Sequence, residues 1–221
     1  MDKDIKTHIG YNELLNWETR KRANLINSIG GFKSVCLIGT KNKLKHSNLA
    51  IFNSTIHIGA NPPLIGFIIR PDSVDRHTLA NIEETGHYTI NHINETIFEQ
   101  AHQTSARYPK EISEFEATDL SSEYKNEFEA PYVEESAIKM GVQFKERIDI
   151  KLNNTILIIG EIKEIYFPEN CLCEDGFLDI EKAKTITCSG LDSYHKTERL
   201  GRLTYAKPNT KPTHVIMEYV K

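Results

Sequence analysis

The sequence predicts a mainly β fold, a closed or partly closed barrel with helices at its periphery, and three observations carry that prediction. Apolar, β-branched runs recur at 34–40, 49–58, 64–69, 140–150 and 155–167. Strong breakers separate them, notably Asn61-Pro62-Pro63 and Asn153-Asn154. Helical periodicity is confined to short intervening stretches, and no fixed-period repeat occurs. Closing such a set of strands removes exposed edges; a parallel doubly wound sheet is the weaker alternative.

Taken in order, Leu14, Leu15, Trp17, Leu25, Ile26 and Ile29 predict a helix over 12–29, stopped by Gly30-Gly31, which accept positive φ at little steric cost. The run at 34–40 is apolar on successive residues, which predicts a strand buried on both faces before a turn at Lys41-Asn42-Lys43. Residues 49–58 predict the next strand, and 64–69 another, closed by Pro71, which has no N–H to offer a ladder. A helix is expected over 72–84, with Ser73 or Asp75 as N-cap, Leu79 and Ile82 on one face and Gly86 at its end. Residues 88–93 predict a strand and 95–106 a helix bearing Ile97, Phe98 and Ala101. Seven acidic residues among few apolar ones make 108–129 a surface excursion with a short helix. The runs at 140–150 and 155–167 form a hairpin about Asn153-Asn154, 177–184 supplies one or two helical turns, and 186–194 a last strand. This divides the chain into a helical extension over 1–29, a domain over 30–205 and a tail over 206–221.

A chain of 221 residues can bury roughly 70–75 % of its unfolded surface, so a sizeable core is available. With 27 Lys and Arg against 31 Asp and Glu, and no basic tract, nucleic acid is not the expected partner. No apolar run approaches the roughly 20 residues that span a bilayer, and the N-terminus lacks a signal-peptide core, so a cytoplasmic location and no membrane partner are expected. Cys36, Cys171, Cys173 and Cys188 read as thiols in loops or core; a metal site would need ligands beyond the Cys171-Leu172-Cys173 pair, and none is expected. Dinucleotide-fold, hydrolase, ATP-binding and zinc-protease motifs are all absent, and the nine histidines are scattered.

The informative chemistry lies between 47 and 82. Helix N-termini carry free N–H groups and partial positive charge, so a phosphate at Asp75-Arg76-His77-Thr78 would gain hydrogen bonds, with Arg76, His77 and the Thr78 hydroxyl adding more. Read alone, Arg76 is as well explained as a solvated side chain and Thr78 as a first-turn residue. Asn48, Asn53, Ser54 and Thr55 sit on or beside an otherwise apolar strand of Leu49, Ala50, Ile51 and Phe52, which suits the edge of a flavin in a largely dry slot; the bland reading is a solvent-facing polar row. Ser105 and Arg107 either close such a pocket from another side or are plain loop residues.

Asn48-Leu49-Ala50-x-Phe52, Pro62-Pro63-Leu64 and Arg76-His77-Thr78-Leu79-Ala80-Asn81-Ile82 together resemble the flavin reductase-like family of FMN-binding split barrels, in particular its flavoredoxin-like branch. Tyr88-Thr89-Ile90-Asn91, Thr104-Ser105-Ala106, Ser113-Glu114-Phe115 and the segment 191–205 extend the resemblance over about 30–205. It departs from the family pattern at Ile51, where proline is frequent, and at His77, where aspartate is frequent. The resemblance implies a split β-barrel of Greek-key type, a homodimer with non-covalent FMN near the subunit interface. Asn48, Leu49, Ala50, Ile51, Phe52, Asn53 and Ser54 would line its ring and ribityl chain, while Arg76, His77 and Thr78 would hold the phosphate, with Ser105 a further contact. Tyr194 and Arg202 would stand where a reductant or partner approaches. It implies no catalytic acid or base.

Three functions follow from that resemblance. The first is an NAD(P)H-dependent flavin reductase, in which NADH or NADPH gives a hydride to the flavin; the second is an FMN electron carrier reduced by a partner protein, with a monooxygenase as another possible partner. The third, a barrel that has lost its flavin, is disfavoured by Arg76 and Thr78.

Overall fold

The apolar run at 34–40 folds as the strand that divides two cores. The computed structural model describes residues 7–71 and 77–220. In chain order these form α1 (Tyr11–Asn16), α2 (Thr19–Ile29), β1 (Lys33–Ser34), β2 (Cys36–Lys41), β3 (Ser47–Phe52), β4 (Ile56–Ala60), β5 (Pro63–Ile69) and α3 (His77–Thr85). There follow β6 (His87–His92), α4 (Phe98–Gln103), α5 (Glu114–Ala117), β7 (Ser122–Glu123), β8 (Tyr132–Val133), β9 (Lys139–Ile150), β10 (Thr155–Tyr166), a 3-10 turn at Glu169–Cys171, β11 (Thr187–Ser189) and β12 (Ser193–His195).

Seven strands make one antiparallel sheet in the order β3-β2-β6-β9-β10-β5-β4. Its two end strands, β3 and β4, are joined by residues 53–55 alone, so the curled sheet brings its two ends close together with no ladder between them. Side chains stitch the junction. Ser54 Oγ donates to the Ile68 carbonyl (3.0 Å) and accepts from the Ile68 N–H (3.1 Å), standing in for a ladder pair, and Cys36 Sγ lies 2.9 Å from Thr55 Oγ1.

Alternation along β2 sends Cys36 and Ile38 into the barrel, where they meet Phe67, Ile82, Tyr88, Ile90, Val142 and Ile158. Val35 and Leu37 point outward into a second core with Leu49, Ile93, Ile97 and Phe115, roofed by α4, α5 and the small sheet β1-β11-β12. The expected burial on both faces follows from these two cores. Gly39 makes it possible for 131–133 to lie against β2: a methyl group there would sit 2.2 Å from the Pro131 carbonyl oxygen.

The structure corrects several boundaries. The helix expected over 12–29 is two, because Trp17 is extended (ψ 147°) and breaks the spiral between α1 and α2. The strand expected over 49–58 is split into β3 and β4, since the chain must turn at 53–55 to close the barrel. The helix over 95–106 shrinks to α4. Residues 177–184 form hydrogen-bonded turns rather than a regular helix, and 186–194 is a hairpin, β11 to β12, reversing at Gly190 (φ +63°). The helix over 72–84 is described from His77, with Gly86 (φ +74°) at its end, so the N-cap expected at Ser73 or Asp75 lies outside the described residues.

Beyond β12 the chain returns along 172–179. Val220 N–H donates to the Leu172 carbonyl (2.9 Å) and Glu174 N–H to that of Glu218 (2.8 Å). The return is fastened by Asp179, which is 2 % exposed and accepts from Arg199, from Tyr219 Oη (2.7 Å) and from Lys182 N–H (3.0 Å).

Candidate functional site

β3 is the starting point because one of its edges is free of strand neighbours. The Leu49 N–H donates to Glu114 Oε2 (2.9 Å), so Leu49, and by the two-residue repeat Ile51, direct their backbone polar groups away from β2. Leu49 is thereby claimed by the chain itself, while the edge at Ile51 is open. On the face opposite Leu49, Asn48 Nδ2 donates to Thr78 Oγ1 on α3 (3.0 Å). A hydroxyl that accepts in this way still has a hydrogen to donate, and among the described residues none is seen to take it.

One helical turn past Thr78, Asn81 Nδ2 donates to Thr40 Oγ1 (3.0 Å). Asn48, Thr78 and Asn81 are all buried, polar and on one side of α3. Asn48 and Asn81 open onto a recess whose rim carries Asn42, His46, His77 and Lys110, with Thr78 behind Asn48. The turn between β2 and β3 fixes His46 there: Asn42 Oδ1 accepts from the His46 N–H (3.0 Å), and Asn42 N–H donates to the His46 carbonyl (3.1 Å), with Lys45 left-handed (φ 68°). The opposite wall is 110–114, where Ser113 Oγ meets Ser47 Oγ at 2.9 Å and Glu114 holds Leu49. Burial pushes the Glu114 carboxyl above its ordinary range, against the opposing pull of the Leu49 N–H and of nearby His77.

The structure brings Asn48 into hydrogen-bonding contact with Thr78 and places His77 at the same recess, whereas the resemblance put Asn48 beside the ring and ribityl chain and the other two at the phosphate. Arg76 lies outside the described residues. Ala50, Ile51 and Phe52 are half-buried along the open edge, with Phe52 edge-on to Phe67. Asn53 Nδ2 is spent on the Gly190 carbonyl (3.0 Å) and Ser54 on Ile68, so these side chains serve the barrel seam. Ser105 is exposed at the end of α4. Tyr194 packs on Phe98 and against the outer core, its hydroxyl 2.8 Å from His102 Nδ1, and burial pushes its phenol up to about 12. Arg202 is bound elsewhere, to Asp175 (2.6 Å) and over the Phe177 ring (4.0 Å).

Sequence reasoning missed Asn42, His46, Asn81 and Lys110 at the recess. Asn81 carried a signal, standing three residues beyond Thr78 on a helix; the others meet the site only through the tertiary fold. Among the described residues no helix is long and apolar enough to cross a membrane, and no three metal-ligating side chains cluster. All four cysteines are free and buried.

A family model, the flavin reductase like domain, matches residues 32–179. A solved structure of a proposed flavin reductase with split barrel domain, from Shewanella frigidimarina NCIMB 400, is 50 % identical with a TM-score of 0.88, and the match covers 91 % of this chain and 100 % of that one. Nitrilotriacetate monooxygenase component B from Bacillus cereus is 21 % identical with a TM-score of 0.78, over 91 % of this chain and 100 % of that one. Flavoredoxin of Desulfovibrio vulgaris (Miyazaki F) is also 21 % identical, with a TM-score of 0.66, over 81 % of this chain and 92 % of that one. At that identity the last two speak to fold alone. With two thirds of its length matched and its barrel split between β3 and β4, the chain belongs to the flavin reductase like domain family.

Proposed function

We propose that this protein is an FMN-binding oxidoreductase that accepts a hydride from NADH or NADPH, works as a homodimer and resides in the cytoplasm. The observation that supports it is the conjunction of a backbone edge at Ile51 with no strand neighbour among the described residues and the polar recess at Asn48 and His77, rimmed by basic side chains and backed by Thr78. A flavin phosphate has an anionic head and a planar, hydrogen-bonding body, and these two features meet its two ends. The donor set fits. Thr78 offers a hydroxyl hydrogen, Asn48 a second amide hydrogen and His77 a ring N–H to the phosphate, while the backbone at 50–52 would meet the ring edge.

FMN held at this edge would supply the redox chemistry, that of a hydride acceptor for a reduced nicotinamide. The chain contributes placement. Leu49 and Ile51 root the edge in the outer core, and Phe52 roots its other face in the barrel, so the edge is held rigid. Assembly into a dimer would cover β4, an end strand that exposes Ile56 and Ile58.

The test is a visible spectrum of the purified protein supplied with FMN, followed anaerobically while NADH or NADPH is added. Bleaching within seconds is the expected result. Flavin that binds yet responds only to dithionite points to an electron carrier served by a partner protein, and failure to bind flavin removes both readings.

A further inference from the structure

The recess holds more polar capacity than the chain uses. Three asparagines open onto it, Asn42, Asn48 and Asn81, each more than nine-tenths buried. Buried amides are ordinarily saturated, because a polar group withdrawn from water without a partner is costly. Asn48 and Asn81 each commit one amide hydrogen within the chain, to Thr78 and Thr40, and each has a second. Asn42 uses its carbonyl oxygen on His46, which leaves its amide free. Around these donors stand His46, His77 and Lys110, contributed by the β2–β3 turn, α3 and the acidic excursion respectively.

The facing carboxylates are already engaged. Glu114 is bound to Leu49 N–H on the far side of β3, and Glu84 accepts from the Lys43 N–H behind the turn (3.3 Å). The recess encloses only about 10 Å³, room for about one water and far below what a whole cofactor-sized ligand occupies, so it could meet only one end of such a ligand, seated at its mouth. The spare capacity includes the carbonyl oxygens of Asn48 and Asn81, but the amide hydrogens of three asparagines, with basic side chains from three segments, suit an anionic end.

Resting on the reading of the site as a flavin pocket, we infer that His46 and Lys110 are specificity-determining residues that, with Asn42 and Asn81, grip the terminal phosphate and make the protein select phosphorylated flavin over riboflavin. The sites are separated widely in sequence, so the grip also ties the β2–β3 turn and the 110–114 wall to α3 when ligand is present.

The experiment measures dissociation constants for FMN and for riboflavin, by flavin fluorescence quenching, in the wild type and in His46→Gln, Lys110→Gln and the double variant. Both side chains are exposed at the rim, so folding should survive; circular dichroism and thermal melting check this. Loss of one charge-assisted contact should weaken FMN by about 3- to 10-fold per substitution and riboflavin hardly at all. Inorganic phosphate should compete with FMN in the wild type and less well in the double variant. Equal weakening of both flavins, or none, overturns the inference while leaving flavin binding intact. A wild type that binds neither flavin overturns the pocket reading itself, and the inference with it.

Discussion

Of the places where this molecule buries polar side chains, the C-terminal return and the recess do so in opposite ways. At the C-terminal return, Asp179 spends its whole carboxylate inside the chain: Arg199 bridges both oxygens, Tyr219 takes one and the Lys182 N–H the other. Arg199 is itself completed by Glu181 and by the Met217 sulfur. At the recess, Asn48 and Asn81 stop at one bond each. Saturation marks a staple, whose purpose is fulfilled in the folded chain; spare donors marshalled in one place mark a site that awaits a partner. The contrast also separates Arg202 from the role that the sequence resemblance gave it, since its guanidinium is committed to Asp175 and Phe177 beside the staple.

The largest effect should come from breaking the staple. Asp179→Ala strands the Arg199 guanidinium and frees Tyr219 and Lys182, so a loss of about 3 kcal/mol is expected, as for one partner removed from a buried pair. Chemical denaturation measures it, and limited proteolysis should show cleavage within 196–220 at rates the wild type resists. FMN binding should persist, since no recess residue touches Asp179. A stable variant with an intact arm would show that saturation there is incidental. The burial also fixes a pH dependence. Arg199 holds the Asp179 carboxyl well below its ordinary range, so this contribution is complete above the unfolded carboxylate pKa and fades as acid carries the pH down toward the lower folded value.

Asn48→Ala should invert that pattern. It removes one neutral hydrogen bond, to Thr78, for a cost of about 1 kcal/mol in stability, yet it withdraws a donor from the recess and should weaken FMN by about tenfold. Paired measurements of melting and of flavin affinity on the two variants test the contrast directly. If Asn48→Ala destabilises as much as Asp179→Ala while leaving FMN affinity unchanged, the recess is a staple too.

The sequence carried much of this architecture and left out the parts made by meeting surfaces. β2 was legible because an uninterrupted apolar run has no solvent face to offer, and the β9–β10 hairpin because Asn153-Asn154 interrupts two long apolar stretches, with Asn154 left-handed (φ 57°) at the turn. The seam was not legible: 49–58 reads as one strand because Thr55 and Ile56 keep β propensity, and only the Ser54 to Ile68 bonds reveal a corner. The same division holds at the site. Asn48 and Thr78 stood out as polar residues in apolar or helix-initiating surroundings, whereas Asn42, His46 and Lys110 have no local peculiarity and acquire meaning only when the turn, the helix and the excursion converge.

The smallest effect, and the sharpest in sign, belongs to Glu114, a second buried carboxylate that carries no paired cation of the Arg199 kind. Burial raises its folded pKa, the Leu49 N–H only partly opposing. The folded state therefore holds this proton more tightly than the unfolded chain, and stability falls as pH rises from the unfolded value through the raised one, the reverse of Asp179. Glu114→Gln keeps an oxygen for Leu49 and removes the buried charge. Its stability at neutral pH should change by less than about 1 kcal/mol and in the favourable direction, with the difference from wild type vanishing in acid. Melting temperatures of the two proteins from pH 4 to 8 give the answer. A variant destabilised most at high pH would mean that the Glu114 charge is what holds the excursion on β3, making it a staple after the manner of Asp179 and erasing the distinction between the two regions on this side of the barrel.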